Sequence, residues 1–298
     1  MWEVVCRITG DRVESHVPEG YNKSAATNPG VAYLGLVAQE MARLPHRYGY
    51  DPNSSYTVTV QTWDRALDPK HSLAYGRERT GHENVVLFPD TYYSGSNGYE
   101  TLYKHALRMP EWGQRKAEVA WRGSVTGTGD YREPLDIPRV RLVQTCRDLP
   151  DADVAMVGIH ETMRFPYEPL STYLKQERLL GDWWSMLRFS EYRWAIDIDG
   201  HANAWGLLEK LILGCCVLKV ETPYEQWYYP RLHAWEHYVP VAADLSDLEA
   251  RIAWCRDNDA HCRWIAANGS RLATTLRLRS ELPRSCITFL ATAEASPG

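Results

Sequence analysis

The sequence has no C-x-x-C pair, and its number of cysteines is odd. Zinc sites and disulfide frameworks usually show cysteines in pairs at recognisable spacings. The seven cysteines here stand at scattered positions, namely Cys6, Cys146, Cys215, Cys216, Cys255, Cys262 and Cys286. We therefore expect reduced thiols in a reducing compartment, the cytoplasm, and neither a metal ion nor a resident cofactor.

An excess of basic charge is also missing. Lys and Arg number 33 against 38 Asp and Glu, which gives a formal net charge of -5 and a pI near 6.1. Proteins that bind nucleic acid present a basic surface that neutralises phosphates. The balance predicts no nucleic-acid partner, so any anion site has to be local.

Segments for export or for crossing a membrane are lacking as well. The first residues, Met1-Trp2-Glu3-Val4, have neither the basic nor the apolar region of a secretory signal. The longest apolar run, Leu211 to Leu218, is far shorter than the about 18 residues that a membrane span needs. We expect no membrane span, and peripheral association with a membrane stays open.

The composition that is present is that of a globular protein, with 44% hydrophobic and 24% charged residues. Twelve Trp and 18 Tyr far outnumber four Phe. Amphipathic rings suit stacking against sugars or bases, and they suit ordinary packing equally well.

Strand patterns alternate with helical patterns along the chain, which predicts an α/β architecture. The predicted strands include residues 56–60, 85–88, 117–121, 153–158, 192–199 and 217–220. Ser246 to Glu249 reads as a capping box that starts a long helix, which Asn268-Gly269 would close. A boundary is expected near Pro110 to Gln114.

Two α/β halves with glycine-rich turns suggest two Rossmann-like domains that face each other across a cleft. We expect an N-terminal, acceptor-side domain over residues 1–115 and a donor-binding domain over residues 116–275. We expect the C-terminal helix, residues 276–298, to pack back on the first domain.

A strand, a glycine turn, a helix and a second strand follow one another between Tyr192 and Val220. Such a βαβ unit presents unpaired N–H groups at the start of its helix, where phosphate binds. The residues predicted to form this turn and donor site are Gly200, His201, Ala202, Asn203, Ala204 and Trp205. The turn is not a G-x-G-x-x-G or Walker loop, so an ordinary βα turn remains the alternative.

A second candidate is the loop after the strand at 117–121, which is rich in glycine and hydroxyl groups. Gly123 would let a ligand approach the backbone, and Ser124, Arg122 and Arg132 would bind phosphate oxygens. A surface turn with an arginine nearby would look the same.

Asp64 is the candidate catalytic residue, because it follows the alternating strand 56–60 and a carboxylate there suits a general base. An aspartate in a loop is more often simply solvated or capping. Lys219, Glu221 and Tyr224 are further predicted donor contacts. Glu221, after the strand that contains Lys219, could accept hydrogen bonds from ribose hydroxyls, and Tyr224 could stack on a base. An aromatic corner of the core is the alternative at Trp227 to Tyr229.

Taken in order, these segments resemble glycosyltransferase family 90, the group of capsule-associated proteins and protein O-glucosyltransferases. The resemblance covers about residues 56–269 and includes the block Trp121-Arg122-Gly123-Ser124. Its other blocks are Glu191 to Trp194, Asp197 to Gly200, Leu213 to Lys219, Tyr229 to Leu232, His237 to Val241 and Asp244 to Leu248.

The resemblance implies a GT-B fold, a UDP-sugar donor bound mainly in the second domain, and inversion without a metal ion. The family's base is matched by Asp64, its donor-binding serine by Ser124 and its following arginine by Arg132, in a loop about two residues longer than usual. The remaining donor contacts are matched by His201 to Gly206. The predicted partners are thus a UDP-sugar donor and a glycan or other hydroxyl acceptor.

Two departures from the family pattern keep other functions open. Gly206 stands where the family's eukaryotic members often have an arginine, and Lys210 one turn later is a possible substitute. No secretory signal is visible, so the protein acceptor of the eukaryotic members is not implied. The alternatives are another GT-B enzyme, such as a sugar-nucleotide epimerase or a retaining transferase, and a non-catalytic nucleotide-sugar- or glycan-binding module.

Overall fold

A computed structural model describes residues 3–161 and 163–297. Its strands, in chain order, are β1 (Glu3–Thr9), β2 (Arg12–His16), β3 (Ser54–Gln61), β4 (Ser72–Ala74), β5 (Gly76–Glu78), β6 (Val85–Leu87), β7 (Lys116–Val125), β8 (Ala152–Ile159), β9 (Tyr192–Asp197), β10 (Cys216–Val220), β11 (Tyr224–Gln226), β12 (Val239–Val241) and β13 (Glu294–Pro297). The mixture of parallel sheets and helices confirms the predicted α/β class.

The α-helices lie between and after these strands. They are α1 (Pro29–Arg43), α2 (Pro45–Tyr48), α3 (Thr91–Gly95), α4 (Glu100–Ala106), α5 (Pro138–Cys146), α6 (Tyr167–Gln176), α7 (Leu207–Ile212), α8 (Leu248–Asp257), α9 (Asp259–Thr275) and α10 (Leu278–Thr292). Short 3-10 helices cover Lys23–Thr27, Trp112–Gln114, Pro134–Asp136, Met186–Glu191 and Tyr229–Arg231. Among the described residues, no helix is both long and apolar enough to cross a membrane.

The described residues fall into two compact units. Unit 1 comprises the described residues of Met1–Glu100, Pro223–Pro230 and Thr275–Gly298. Unit 2 comprises those of Thr101–Thr222 and Arg231–Thr274. The division groups residues 101–115 with unit 2, and the expected domain boundary after residue 115 stays a prediction.

Unit 1 is built on a mixed sheet with the strand order β2-β1-β3-β4-β6. Strand β1 runs antiparallel to β2 and β3, β13 pairs antiparallel with β3, and β3, β4 and β6 are parallel. The predicted alternation of β3 is present, because Tyr56, Val58 and Val60 are buried. Helix α10 contacts α1, where the buried Tyr33 hydroxyl and Ser285 Oγ are 3.3 Å apart.

Unit 2 is built on a parallel sheet with the strand order β12-β10-β9-β7-β8. All five residues of β10 are buried, as expected for a central strand covered on both faces. From β7 the chain steps outward to β8 and then returns past β7 to β9. The strand order therefore reverses between β7 and β9, and ligands of doubly wound sheets bind at the carboxyl ends of the strands at such a switch point.

Two helix predictions for unit 2 were wrong. Helix α7 begins at Leu207 rather than near Ala202, so Gly200 to Ala204 form a loop and not a helix start. The long helix is broken at Asn258 into α8 and α9, and Gly269 lies inside α9. A Cβ at Gly269 would lie 2.8 Å from Leu211 Cδ2, so this glycine permits close packing and does not end the helix.

Candidate functional site

The loop after β9 is folded by hydrogen bonds to Asp199, which lies just beyond the strand. Asp199 Oδ1 accepts a hydrogen bond from Ala204 N–H at 3.0 Å, and Asp199 Oδ2 accepts one from the Thr222 hydroxyl. Gly200 N–H donates to the Ala202 carbonyl at 3.0 Å. Burial raises the pKa of Asp199, and the nearby Lys219 ammonium opposes that rise.

Arg139, near the start of α5, joins this loop to the end of β7. Its guanidinium donates to the carbonyls of Ser124 at 3.0 Å, Ile198 at 3.1 Å and Asp199 at 2.9 Å. The planar fork of an arginine can satisfy carbonyls on two strands at once. Burial lowers the pKa of Arg139, and Asp199 and Asp197 oppose that effect. Arg139 therefore holds together the carboxyl ends of the two strands that flank the switch point.

Gly200 lies directly against this junction. A Cβ at position 200 would overlap Thr126 Oγ1 and would lie 2.9 Å from Arg139 Nη2. Position 200 therefore requires a glycine for a steric reason, and the atoms that a side chain would meet belong to the protein itself.

Two buried polar side chains at the switch point have no hydrogen-bond partner among the described residues. Asn203 is 3% exposed, and neither its Oδ1 nor its Nδ2 is bonded. Thr126 is 8% exposed, and its Oγ1 is not bonded. Buried polar atoms in folded proteins are almost always satisfied by a protein group, a water molecule or a ligand, so both side chains are candidates for contact with a polar ligand.

The same edge of the sheet brings three cations close to two carboxylates. The Lys210 ammonium pairs with Asp197 Oδ1 at 2.9 Å, and the Lys219 ammonium lies 4.0 Å from Asp197 Oδ2. Arg139 is the third cation, and it bonds the carbonyl of Asp199. Charges in a largely buried setting interact more strongly than they would in water.

Lys210 also lies beside the position where the family arginine is missing. Its Nζ would be 3.5 Å from a Cβ at Gly206, and its role as a substitute cation stays a prediction. Its pairing with Asp197 means that this charge is already partly neutralised.

His201 connects the loop after β9 to the loop after β7. Its Nδ1 lies 3.1 Å from the Gly127 carbonyl, and its ring centroid is 5.6 Å from that of His160, which follows β8. The loops after three strands therefore meet here. Trp205, further along the loop after β9, is half-buried.

The glycines of the loop after β7 make room for aromatic rings. A Cβ at Gly127 would overlap the Tyr131 hydroxyl, and one at Gly129 would lie 2.7 Å from the Tyr131 ring. The prediction that Gly123 lies in this loop was wrong, because β7 continues to Val125; a Cβ at Gly123 would lie 2.6 Å from the Trp121 ring. Arg132 is exposed in this loop, and its backbone N–H donates to Asp136 Oδ2 at 2.9 Å.

Arg122 is engaged away from the carboxyl end of the sheet. Its Nη2 pairs with Asp153 Oδ1 at 2.5 Å, and its guanidinium carbon lies 3.7 Å from the centroid of the Trp184 ring. The Tyr192 hydroxyl donates to Asp153 Oδ2 at 2.5 Å. This network joins β7, β8 and β9, so the structure does not bring Arg122 together with Ser124 and Gly200.

We expect Asp153→Asn to destabilise the protein by about 1–3 kcal/mol at pH 7, because it removes the charged partner of a largely buried arginine. Burial opposes ionisation of Asp153, but hydrogen bonds from Tyr192 and Arg122 lower its pKa below the ordinary value. A lowered carboxyl pKa stabilises the fold above the unfolded-state value, about 3.9, and this contribution is lost as pH falls through the folded value.

Urea unfolding of both proteins at several pH values tests this expectation. The difference between the free energies of unfolding of the two proteins should be equal at about pH 7 and pH 5. It should shrink only below about pH 4. Asp148→Asn is the control, because Asp148 forms an exposed ion pair with Arg147 and should change stability by less than about 1 kcal/mol. A difference that disappears already near pH 6 would contradict the assignment.

The remaining predicted donor contacts are spread over both units. Lys219 is buried within β10, and Glu221 is exposed just after it, where its N–H donates to the Val241 carbonyl at 2.8 Å. Tyr224 belongs to β11 of unit 1, with the Arg65 guanidinium 5.2 Å from its ring centroid.

Asp64 lies in the loop after β3 of unit 1 and is partly exposed. Its neighbour Arg65 pairs with Glu78 at 2.8 Å. Thr62, at the end of the same strand, is 7% exposed, and its Oγ1 lacks a partner within the described part of the chain. A second carboxylate, Asp90, follows β6, but its Oδ1 already accepts from two N–H groups of α3.

Arg139 is the residue of this site that the sequence did not reveal. The sequence around Arg139 shows only a proline at the start of a predicted helix, Pro138, followed by an arginine. Nothing in that pattern tells which distant carbonyls the guanidinium reaches.

Comparison with known proteins gives a match over more than half of the chain. A family model described as "Glycosyl transferase family 90" matches residues 96–281. Human Protein O-glucosyltransferase 3 is 28% identical over 168 residues, 56% of this chain and 30% of that protein. Protein O-glucosyltransferase 2 of Danio rerio is 28% identical over 235 residues, 75% of this chain and 44% of that protein.

Among solved structures, HepE of Anabaena in complex with UDP and glucose matches with a TM-score of 0.44 and 9% identity. The match covers 65% of this chain and 52% of HepE. The chain spans less than half of the length of the two curated relatives.

Proposed function

The chain belongs to glycosyl transferase family 90, as the resemblance in its sequence implied, and we propose that it moves a sugar from a UDP-sugar to an acceptor hydroxyl. In this proposal the anomeric carbon is inverted and no bound metal ion takes part. The observation that carries the donor site is Asn203, whose buried amide has no partner among the described residues. An unsatisfied buried polar group costs about 1–3 kcal/mol, which a polar ligand would recover.

A nucleoside diphosphate suits the side chains at the carboxyl ends of β7 and β9. Asn203 offers one donor and one acceptor, which suit a base edge or ribose hydroxyls, and Thr126 adds a hydroxyl. The cations Arg139, Lys210 and Lys219 lie together at this edge, and positive groups of this kind suit the phosphates of a nucleotide.

The reaction we propose is a direct displacement. As the acceptor oxygen bonds to the anomeric carbon, the bond from that carbon to the phosphate oxygen breaks and UDP leaves. Asp64 takes the proton of the acceptor hydroxyl. A carboxylate is a weak base, but it suffices when proton transfer lags behind cleavage of the C–O bond.

The charge that develops on UDP has to be stabilised by groups already in place. We assign this role to Ser124, Arg132 and the backbone amides of the loop after β9, within the positive field that Arg139 and the two lysines create. Preorganised donors and charges of this kind stabilise a transition state without reorganisation, and they take the place that a metal ion fills in other transferases.

For the sugar we propose the glucose or xylose type, and for the acceptor a glycan. The two relatives are named protein O-glucosyltransferases, which supports a hexose or pentose of this series. Glucose and xylose differ by one hydroxymethyl group, which a pocket distinguishes by only about 1–3 kcal/mol.

Binding of UDP tests the donor site. We expect UDP to raise the melting temperature more than GDP does, because a ligand that binds only the folded protein stabilises it. Asn203→Ala should weaken UDP binding about ten-fold, since one or two hydrogen bonds are lost. Isothermal titration calorimetry with both proteins measures the change.

The matched control is Asn268→Ala. Asn268 is also buried, but its Oδ1 already accepts from Arg271 Nη1 at 2.8 Å within α9. UDP affinity should be unchanged in this variant. An unchanged UDP affinity in a folded Asn203→Ala protein would exclude Asn203 from the donor site.

A non-catalytic module that binds a nucleotide sugar is the second candidate, favoured by the glycine at position 206 and by the partly neutralised Lys210. Release of UDP from UDP-glucose and UDP-xylose, assayed with a panel of glycan acceptors, separates the two. UDP binding without acceptor-dependent release would favour the module, and the anomeric configuration of a product would test inversion.

A further inference from the structure

Three of the scattered cysteines meet in the core of unit 2. Cys216 is the first residue of β10, Cys255 lies on α8 and Cys262 lies on α9. Their three Sγ atoms all lie within 4.8 Å of one another. Each of the three residues is 0% exposed.

The distances match a set of metal ligands. A metal ion bonded at about 2.3 Å to three coplanar sulfurs places those sulfurs about 4 Å apart. The separations in the structure, at most 4.8 Å, exceed that value by less than about 1 Å. Thiols that serve only as small apolar groups have no need to converge on one point.

A further contact joins the two helices at the cluster. The Cys262 thiol on α9 donates to the Cys255 carbonyl on α8, with the sulfur 3.6 Å from the oxygen.

The chemistry of the three ligands restricts which metal ion can bind. Within residues 3–161 and 163–297, no histidine, aspartate or glutamate joins the three sulfurs. Thiolates select soft ions such as those of copper(I) and zinc. A complex of three thiolates with a univalent ion has a net charge of −2. The same complex with a divalent ion has a net charge of only −1. Because the cost of burying charge rises steeply, the divalent ion is favoured.

We propose that Cys216, Cys255 and Cys262 bind one thiophilic divalent cation of the zinc group in the core of unit 2. Three thiol protons pass to the solvent, three sulfur–metal bonds form, and no atom changes its oxidation state. The site ties β10 to α8 and α9, and its role is structural.

The site is separate from the proposed donor site. Cys216 begins β10, whereas the donor groups lie at the carboxyl ends of the strands, so the ion has no part in sugar transfer. The inference therefore does not depend on the proposed function.

Titration of the reduced, metal-free protein with Cd²⁺ tests the site. Thiolate-to-cadmium absorption in the ultraviolet should rise to saturation at one ion per chain, with the stoichiometry checked by elemental analysis. Zn²⁺ should compete for the same site and should raise the melting temperature, because only the folded protein assembles the three ligands.

Cys262→Ala should weaken binding by at least about ten-fold, the loss that follows even removal of an outer-shell partner, and should abolish the rise in melting temperature. Cys146→Ala is the control, because Cys146 is buried in the same core on α5 but lies outside the cluster. It should bind cadmium like the unaltered protein.

The unaltered protein decides the question even if Cys262→Ala fails to fold. Failure to bind one Cd²⁺ tightly, or equal binding in the Cys262→Ala and Cys146→Ala variants, would overturn the proposal. The cysteines would then be a packed group of thiols only.

Discussion

Replacing Asp64 with asparagine is expected to lower turnover by a factor of about 10² to 10⁴ while UDP still binds. The amide keeps the size and shape of the side chain but cannot take the proton of the acceptor hydroxyl. The donor site that we propose lies at the carboxyl ends of β7 and β9, so UDP affinity should change little. Steady-state release of UDP and calorimetric binding of UDP, measured on the same preparation, separate the two effects.

Asp68→Asn is the matched control for this substitution. Asp68 lies four residues further along the same connection, where its Oδ1 accepts from Lys70 N–H at 2.9 Å, a bond that an asparagine oxygen can also make. Turnover should be preserved in that variant. Near-normal turnover of Asp64→Asn would remove Asp64 from its role as base, without affecting the assignment of the donor site.

Replacing Arg139 with alanine is expected to cost about 3 kcal/mol of folding stability and to abolish measurable binding of UDP. The change leaves three carbonyls without their donor, those of Ser124, Ile198 and Asp199. Hydrogen bonds from a charged donor contribute about 1.5–3 kcal/mol each, though not additively. Without Arg139, hydrogen bonds no longer hold together the carboxyl ends of β7 and β9, between which we place the donor.

Thermal unfolding measures the first effect, and about 3 kcal/mol corresponds to a fall in melting temperature of about 6–12 °C for a domain of this size. Arg141→Ala is the control, because Arg141 lies on the same helix and bonds the exposed Leu135 carbonyl. It should change stability by less than about 1 kcal/mol and should leave UDP binding intact. Full UDP affinity in a folded Arg139→Ala protein would contradict the role of Arg139 at this site.

Local patterns in the sequence predicted much of unit 2. The strand predicted at residues 192–199 matches β9, which ends at Asp197, and the strand predicted at residues 217–220 matches β10. The α/β class and the family were also readable, because they depend on periodicity and on short blocks of residues. The start of α7 was misplaced, because the bond from Ala204 N–H to Asp199 keeps the preceding residues in a loop.

The candidate site was only partly readable. Gly200, His201, Asn203 and Ser124 were expected near one another from the order of strands and turns, and the structure places them around the junction of β7 and β9. The sequence grouped Arg122 with Ser124, its neighbour but one. On a strand such neighbours share a face, but the length of an arginine lets its charge reach Asp153, well away from that edge.

The sequence by itself determined the class of fold, the family, and the segment that turns after β9, because these follow from spacings within a few tens of residues. The tertiary structure alone decided which carbonyls Arg139 satisfies, which polar atoms of Asn203 and Thr126 are buried without partners, and which three cysteines meet. These are contacts between residues far apart in the chain. They depend on the order of strands in a sheet, and residue spacing does not encode that order.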